Sequence, residues 1–465
     1  MTFALAALLA IVVQDHTALR AAPQSTASEL TTLWQGDLIE IRGERAGYLK
    51  VYDYRRERGG YLRHEEVRPV ALTEAYAPEL LAVLRFLRDS SGSEALGISY
   101  GAAYLRAVPA RSVTAEPLEA IASMAERLAD RASNGRFPNT AAHLEVVEQF
   151  GIRMHSFERN GRARMCYEGQ LYRRVLQLSS ASSEQRARAA LALTRPDCID
   201  PDMGTAARAS YDEERHKELE GIDEQPLSGA TRSRLHARRA GVWASVAFEQ
   251  ARRGEVAAAA AQRALAELLA VNASDLGQDM RAEYSEAAVR VGAVRWAAVP
   301  STTSTGPLLL STAAGEPGQR CLSLRLAAEP RSTPLLKRCT YGVVWLASAQ
   351  PFAQSGALAL AVQPLESWRE LWIFHPVHGN WRVDILSPGS DEPEEGYIEY
   401  AGFAAGKRRL LIAREVKEKG RFLRRFEERR LEDLALIRQA SSPDLLADFG
   451  TWLDVSWRRD TLALR

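Results

Sequence analysis

The sequence has no excess of charge of either sign. Its 465 residues include 60 Lys and Arg against 59 Asp and Glu, a net charge of +1. This balance argues against a polycation that binds nucleic acid and against an acidic tail, so we expect no nucleic-acid partner. Hydrophobic residues make up 46% of the chain and charged residues 26%. The composition is typical of a globular protein that is long enough for several domains.

The sequence also lacks the short motifs that mark common catalytic and metal sites. It contains no Cys-x-x-Cys pair, no Walker loop, no Gly-x-Gly-x-x-Gly loop, no His-Glu-x-x-His motif and no Ser-x-x-Lys motif. We therefore predict no catalytic residue, no cofactor and no metal site. The protein is predicted not to be an enzyme.

One hydrolase-like pattern does occur, in the stretch GISYG from Gly97 to Gly101. A nucleophile elbow needs a buried strand that delivers the serine into a sharp turn. The residues before it, Asp89 to Glu94, are instead a polar loop typical of a helix N-terminus. We therefore predict that Ser99 lies in a packed helix and is not a nucleophile.

Long hydrophobic runs are scarce apart from one near the start of the sequence. The uncharged run from Phe3 to Val13 is too short to cross a bilayer and long enough for the apolar part of a signal peptide. We interpret residues 1–14 as a signal peptide. The alternative is that this run is a buried first strand of the fold.

Only four cysteines are present, in two sequence-local pairs: Cys166 with Cys198, and Cys321 with Cys339. This spacing is typical of two structural disulfides, each inside one domain, which persist only in an oxidising compartment. Together with the apolar leader, the cysteines predict a protein of the periplasm or a secreted protein.

Residues 15–71 have the pattern of short strands separated by turns at Gly36-Asp37, Gly43 and Gly59-Gly60. The segment resembles a bacterial SH3 domain. The resemblance is carried by Leu19-Arg20-x-x-Pro23, Leu33-x-x-Gly36-Asp37-x-Ile39-x-Ile41, Gly43-Glu44-x-x-Gly47-Tyr48-Leu49-Lys50-Val51 and Gly60-Tyr61-Leu62. It implies a small SH3-like β-barrel that binds cell-wall glycan or peptide. The candidate binding residues are Tyr48, Tyr52, Tyr54 and Tyr61, although alternation along the strands predicts that two of them lie in the core.

Residues 72–299 have helical periodicity and resemble a tetratricopeptide-like repeat region. In the clearest pair of helices, Trp243-x-x-x-Ala247 begins the first helix and Gly254 forms the turn. The second helix is predicted from Val256 to Leu269, with Ala259 and Ala266 as the small positions at which the helices interlock. Leu96-Gly97-x-x-Tyr100 is similar to the first-helix signature of the same repeats.

Residues 300–307 read as a linker, and residues 308–465 as an antiparallel β domain. A pattern that begins at Val343 repeats about 50 residues later at Ile398. The stretch from Phe403 to Leu411 is similar to a turn of TolB-like and WD-repeat propellers, which implies blade-like meanders. Three such units are too few for a closed propeller. We expect an open or sandwiched sheet, with a last strand around Thr461 to Leu464.

Three charged or histidine-rich segments of this domain could bind a ligand, but each also has a purely structural interpretation. His375 and His378 could bind a metal, but their position predicts a hairpin loop. Lys407 to Arg430 contains eleven basic and four acidic residues and is predicted to be a solvated hairpin face, with an anionic partner as the alternative. The acidic loop residues are also expected to be solvated; they are Asp391, Glu392, Glu394 and Glu395.

The chain is thus expected to be a multidomain α+β protein: an SH3-like barrel, a tetratricopeptide-like helical domain and a C-terminal antiparallel β domain. As a whole it resembles exported bacterial proteins that carry an SH3 domain. The expected function is non-enzymatic binding or scaffolding in the bacterial envelope, with peptidoglycan or an envelope protein or peptide as partner. The alternative is a cell-wall hydrolase, or an accessory subunit of one, with a site in the β domain or between domains.

Overall fold

The computed structural model describes residues 8–135, 138–159, 161–300, 306–352, 356–389, 395–454 and 457. The chain divides into two compact units. Unit 1 is Met1–Met203 with Gly221–Pro226, and unit 2 is Gly204–Glu220 with Leu227–Arg465. Each unit combines antiparallel sheets with helices, so the predicted mixed α+β class is confirmed. The helices predicted within residues 72–299 are divided between the two units.

Unit 1 begins with a sheet of seven antiparallel strands in the order β3-β2-β6-β5-β4-β1-β7. The strands are β1 (Leu8–Val12), β2 (Thr17–Arg20), β3 (Glu29–Leu33), β4 (Leu38–Arg45), β5 (Tyr48–Asp53), β6 (Arg58–Arg63) and β7 (Val67–Val70). Each of them contributes at least one side chain to one apolar core. The predicted turns at Gly43 and Gly59-Gly60 are wrong, because these glycines lie inside β4 and β6 and the chain turns at residues 46–47 and 54–57 instead.

Strand β1 is buried on both of its faces. Ala10 and Val12 belong to the core of the sheet, whereas Ile11 packs against helices α1 (Ala77–Arg88) and α2 (Glu94–Ala107). All three side chains are 0% exposed. For the part of the apolar run that the structure describes, the alternative of a buried first strand is therefore correct. The interpretation of residues 1–14 as a signal peptide is not confirmed.

The remaining elements of unit 1 pack around α3 (Ala115–Asn134). They are α4 (Thr140–Glu148), the hairpin β8 (Met154–Arg159) and β9 (Arg162–Tyr167), α5 (Gln170–Gln177) and α6 (Ser183–Leu193). Ser99 lies in the middle of α2 and is 1% exposed, so its predicted position in a packed helix is confirmed. Gly97 and Gly101 allow α3 to approach closely. A Cβ at Gly101 would lie 2.4 Å from Cγ1 of Ile121.

Unit 2 contains helices α7 (Thr205–Glu220), α8 (Gly229–Arg253), α9 (Ala258–Leu269) and α10 (Gln278–Val294). The predicted turn at Gly254 is confirmed, and this residue has a φ of 79°. Helix α8, however, begins at Gly229 and not near Trp243. Ala259 and Ala266 are exposed, so the predicted interlocking positions are wrong. The residues of α9 that pack inward are Ala260, Ala261, Ala264 and Leu268.

The sheets of unit 2 are built from three consecutive meanders. The first is a three-stranded sheet of β10 (Leu308–Ala314), β11 (Arg320–Leu326) and β12 (Leu336–Thr340). The second contains β13 (Val343–Phe352), β14 (Ala357–Leu365), β15 (Trp368–Val377) and β16 (Asn380–Leu386). The third contains β17 (Gly396–Ala404), β18 (Arg409–Glu418), β19 (Arg421–Arg430) and β20 (Leu436–Ala440), and is followed by α11 (Ala447–Trp452).

The second and third meanders form one eight-stranded sheet through a short parallel pairing of β15 with β17. The repeat predicted from Val343 and Ile398 corresponds to the first hairpins of these two meanders, β13–β14 and β17–β18. The blade-like character stays a prediction. The predicted strand at Thr461 to Leu464 lies outside the described residues, as do positions 301–305 of the predicted linker.

Strand β14 is the counterpart of β1 in unit 2, because both of its faces are buried. Leu358, Leu360 and Val362 pack against the three-stranded sheet. On the opposite face, Ala361 belongs to a core formed with α8, α9 and α10, and Ala359 to a core shared with the third meander. The small alanine side chains allow this close packing.

Both predicted disulfides are confirmed. Cys166 of β9 is bonded to Cys198, and Cys321 of β11 is bonded to Cys339 of β12. Each bond lies within one unit. Paired cysteines are compatible with a location outside the cytoplasm. In the part of the chain that is described, no helix has the length and apolar character needed to cross a bilayer.

A charge in the middle of β1 should destabilise unit 1. We expect Ile11→Asp to lower the free energy of unfolding by roughly 4 kcal/mol or more, because an unpaired carboxylate would replace a fully buried side chain. Leu8→Asp, at a position that is 49% exposed, is the matched control and should be nearly neutral. Thermal and denaturant unfolding of the purified proteins measure both effects. Equal stability of Ile11→Asp and the wild type would indicate that β1 is not part of the mature fold.

Candidate functional site

The four predicted tyrosines all lie on the solvent side of the sheet of unit 1. Tyr48 and Tyr52 alternate along β5 with the core residues Leu49 and Val51, and Tyr61 of β6 is directly opposite Lys50. Tyr54 is in the turn after β5 and is 62% exposed. None of the four is buried, so the prediction that two of them belong to the core is wrong. We call this surface the tyrosine face.

One end of the tyrosine face is an ordered cluster of aromatic and charged groups. The guanidinium of Arg42 lies 3.9 Å from the ring centroid of Tyr52, and its Nε donates a hydrogen bond of 2.6 Å to Glu40. The hydroxyl of Tyr54 donates to the same carboxylate at 3.0 Å. The hydrogen bonds from Arg42 and Tyr54 lower the pKa of Glu40. At this end the rings of Tyr52 and Tyr54 contact each other edge-on, with centroids 5.0 Å apart, and the hydroxyl of Tyr54 already has a partner.

The other end of the face carries three basic groups, of which Arg63 has a counter-charge in Glu65 at 3.7 Å. Tyr48 lies opposite Arg63 on β6 and Arg45 on β4, and a hydrogen bond to Tyr48 raises the pKa of Arg63. Lys50 and Arg45 are exposed, and no carboxylate is within ion-pair distance of either one among the residues that the structure describes. A ligand with an apolar surface and a carboxylate could pack its apolar surface on the tyrosine rings and pair its carboxylate with Lys50 or Arg45.

The two histidines considered as metal ligands have different environments. His375 lies inside β15 rather than in a loop, is 2% exposed and contacts Asp384 at 2.7 Å through Nε2. His378 occupies the tight turn between β15 and β16 with a φ of 50°, so the predicted hairpin is confirmed. Within the described ranges, no three His, Cys, Asp or Glu side chains are grouped as metal ligands would be.

Unit 1 contains a polar cluster around Asp15 and His143 that no sequence pattern predicts. Nε2 of His143 on α4 lies 2.8 Å from a carboxylate oxygen of Asp15, which also accepts hydrogen bonds from Asn139 and Gln35. Burial raises the pKa of Asp15, but the contact with His143 lowers it, and the net shift of this pKa is downward. These residues are up to 128 positions apart in sequence, and no local pattern links them.

The basic segment from Lys407 to Arg430 forms the predicted hairpin, β18 and β19. The prediction that its charges are solvated is wrong for several of them. Arg414 is 9% exposed and donates to Glu427 at 2.7 Å, and Glu427 is 2% exposed. Most arginines of the segment have a carboxylate partner, either within the hairpin or, for Arg408 and Arg430, just after it.

The acidic loop before Gly396 also differs from the prediction that its side chains are solvated. Asp391, Glu392 and Glu394 lie outside the described residues. Glu395 is only 6% exposed and is 3.2 Å from Nζ of Lys417, so the expected solvated position is wrong. Burial raises the pKa of Glu395, although Arg290 and Lys417 act in the opposite direction.

A buried ion triad joins α10 and the sheet inside unit 2. Glu399 of β17 accepts hydrogen bonds of 2.6 Å from Arg369 of β15 and from Arg295, which directly follows α10, and its second oxygen accepts from Trp457. Arg369 is 0% exposed and also donates to the carbonyl of Gly292. Burial alone would raise the pKa of Glu399, but the two guanidinium groups outweigh it and lower the pKa to about 2. Glu399 also lines, with Trp296 and Tyr400, a cavity of about 10 Å³, which is room for about one water molecule.

Comparisons of the chain with family models, with curated proteins and with solved structures found no match.

The triad predicts a specific loss of stability in acid. The pKa of Glu399 is lower in the folded than in the unfolded chain, so its contribution is fully present above about pH 4.5 and is lost as the pH falls toward 2. Glu399→Gln should be less stable by roughly 3–5 kcal/mol at neutral pH, because two buried guanidinium groups lose their counter-charge. It should also lose less stability between pH 5 and pH 2.5.

Thermal unfolding measured across this pH range tests the prediction. Glu329→Gln, at an exposed position without a side-chain partner among the described residues, is the matched control. An acid dependence of Glu399→Gln as steep as that of the wild type would contradict the assignment.

Proposed function

We propose that the protein is a non-enzymatic binding protein of the bacterial envelope, and that the tyrosine face is its binding surface. The observation that carries this proposal is the position of Tyr48, Tyr52 and Tyr61. The interior of the sheet is already filled by aliphatic side chains from all seven strands. The tyrosines on the outside therefore add little to the core and remain available for a ligand.

The chemistry of this face suits cell-wall material. A tyrosine ring offers a flat apolar surface for a sugar ring together with a hydroxyl for hydrogen bonds, at a low cost in side-chain entropy. Lys50 and Arg45, which have no carboxylate partner in the described structure, suit the carboxylates of the wall's stem peptides. The motifs that resemble a bacterial SH3 domain fall on the same strands, and the two disulfides suit an oxidising compartment. We infer that peptidoglycan is the principal ligand and that the protein is exported.

Co-sedimentation with purified peptidoglycan sacculi tests this function. We expect the full chain to sediment with the sacculi, and the double variant Tyr48→Ala/Tyr61→Ala to bind at least about 10-fold more weakly. That factor corresponds to the loss of about 1.4 kcal/mol of stacking and packing. The variant should unfold at nearly the same temperature as the wild type, since neither side chain is part of the buried core.

Phe86→Ala is the control for this experiment, because it removes an aromatic side chain that is 77% exposed on α1 of the same unit. It should bind as the wild type does. Absence of sedimentation by the wild-type chain, or equal binding of all three proteins, would contradict the proposal. Hydrolysis of the sacculi by the wild-type chain would instead support the alternative of a cell-wall hydrolase.

A further inference from the structure

A cleft of about 280 Å³ opens in unit 2 beside the first strand of the eight-stranded sheet. One wall consists of five consecutive residues of β13, Val343 to Ala347. The opposite side is formed by the turn between α8 and α9 together with Trp296 and Val299, while β10 and β11 contribute Thr312 and Arg320. A continuous stretch of strand along a cleft provides a surface against which an extended peptide can pair.

Strand β13 is at the edge of its sheet. Among the described residues, only β14 pairs with it. An edge strand presents unpaired backbone N–H and C=O groups, and proteins usually protect such edges with charges, with prolines or with a covering segment. The cleft wall, Val343-Val344-Trp345-Leu346-Ala347, contains neither a charge nor a proline. These five side chains therefore do not discourage pairing with another chain, whereas Pro351 and a register irregularity between Trp345 and Gln350 protect the rest of β13.

The cleft also contains a cation without a counter-charge. Arg320 is exposed, and its guanidinium group has no hydrogen bond or ion pair with any described residue. The other charged group on the walls is Glu255, which Arg253 engages through two hydrogen bonds of 2.7 and 2.9 Å. The cleft thus carries one uncompensated positive charge.

Gly254 allows Arg320 to reach the cleft. A Cβ at this position would lie 2.7 Å from Nη2 of Arg320. The residue also has a φ of 79°, in the left-handed region that glycine adopts readily. The turn between α8 and α9 therefore accommodates the guanidinium group at the mouth of the cleft.

Apolar side chains surround this charge. Val256 is 85% exposed at the rim, and Val344, Leu346 and Val299 are only half-buried. Trp296, at 8% exposure, provides a large apolar surface deeper in the cleft. An apolar side chain that entered here would remove several partly exposed hydrophobic groups from water.

We propose that this cleft binds an extended acidic peptide, which adds a strand to the edge of β13 from Val343 to Ala347 and places a carboxylate on Arg320. Backbone hydrogen bonds to β13 would supply affinity, and an apolar side chain against Val256 and Trp296 would supply specificity. The site is separate from the tyrosine face and does not depend on the function proposed for that face.

A small set of synthetic peptides tests the proposal on the full-length protein. The probes are fluorescein-labelled octapeptides that alternate valine and threonine, with aspartate, asparagine or lysine at one position scanned along the chain. We expect the best aspartate peptide to bind at least about 10-fold more tightly than the matching asparagine peptide, and the lysine peptide to bind most weakly. N-methylation of alternate backbone nitrogens in the aspartate peptide should abolish binding, because it removes donors for strand pairing.

Charge reversal in the protein provides the sharper test. Arg320→Glu should lose binding of the aspartate peptide and gain binding of the lysine peptide. Arg331→Glu makes the same change at an exposed position outside the cleft, and should leave the order of the three peptides unchanged. Thermal unfolding should be the same for both variants, since both arginines are exposed.

Four outcomes would overturn the proposal. The first is equal affinity for the aspartate, asparagine and lysine peptides. The second is undiminished binding of the N-methylated peptide. The third is absence of binding by every peptide at millimolar concentration. The fourth is concentration-dependent dimerisation of the protein that persists in Arg331→Glu and is lost in Val344→Pro. This result would show that the edge of β13 pairs with a second copy of the chain rather than with a peptide.

Discussion

Each unit of this protein depends on a strand that is buried on both of its faces. In unit 1 this is β1, whose residues Ala10, Ile11 and Val12 lie between the core of the sheet and the first two helices. In unit 2 it is β14, which lies between the three-stranded sheet and the cores on its other face. Full burial of an aliphatic side chain contributes roughly 1.5–3 kcal/mol. These short strands therefore hold the layers of each unit together.

The same constraint explains where side chains are available for binding. Aliphatic residues fill the inner side of the first sheet, so the tyrosines of β5 and β6 face solvent together with Lys50 and Arg45. Unit 2 places many of its charges inside, where they are paired, as in the triad of Arg295, Glu399 and Arg369. Arg320, by contrast, is exposed and lies in a largely apolar cleft without a counter-ion among the described residues.

Local patterns in the sequence predicted much of the secondary structure. The turn at Gly254, the hairpin at His378-Gly379 and the strand pairs of the repeat depend on residues close together in the chain, and all are confirmed. The two disulfides were also predictable, because each joins cysteines that are local in the sequence.

Features that depend on packing were not predictable in this way. In the alanine-rich helix α9, the choice between Ala259 and Ala260 as the buried position has no local signal, since the residues are identical. The apolar run before Gln14 is compatible both with a signal peptide and with a strand buried on two faces, because both require uninterrupted hydrophobicity.

The partners of Glu399 are 104 and 30 positions away in the sequence. Only the folded chain brings these three charges together. The four tyrosines stay candidate binding residues, and their common face becomes evident only from the register of β5 and β6.

Hydrogen–deuterium exchange of the protein isolated from cells tests the role of the two doubly buried strands most directly. We expect the isolated chain to contain residues 8–12, and the amides of these residues and of residues 357–362 to exchange among the slowest in their units. A mature chain that begins after Val12, or rapid exchange of either strand, would contradict it.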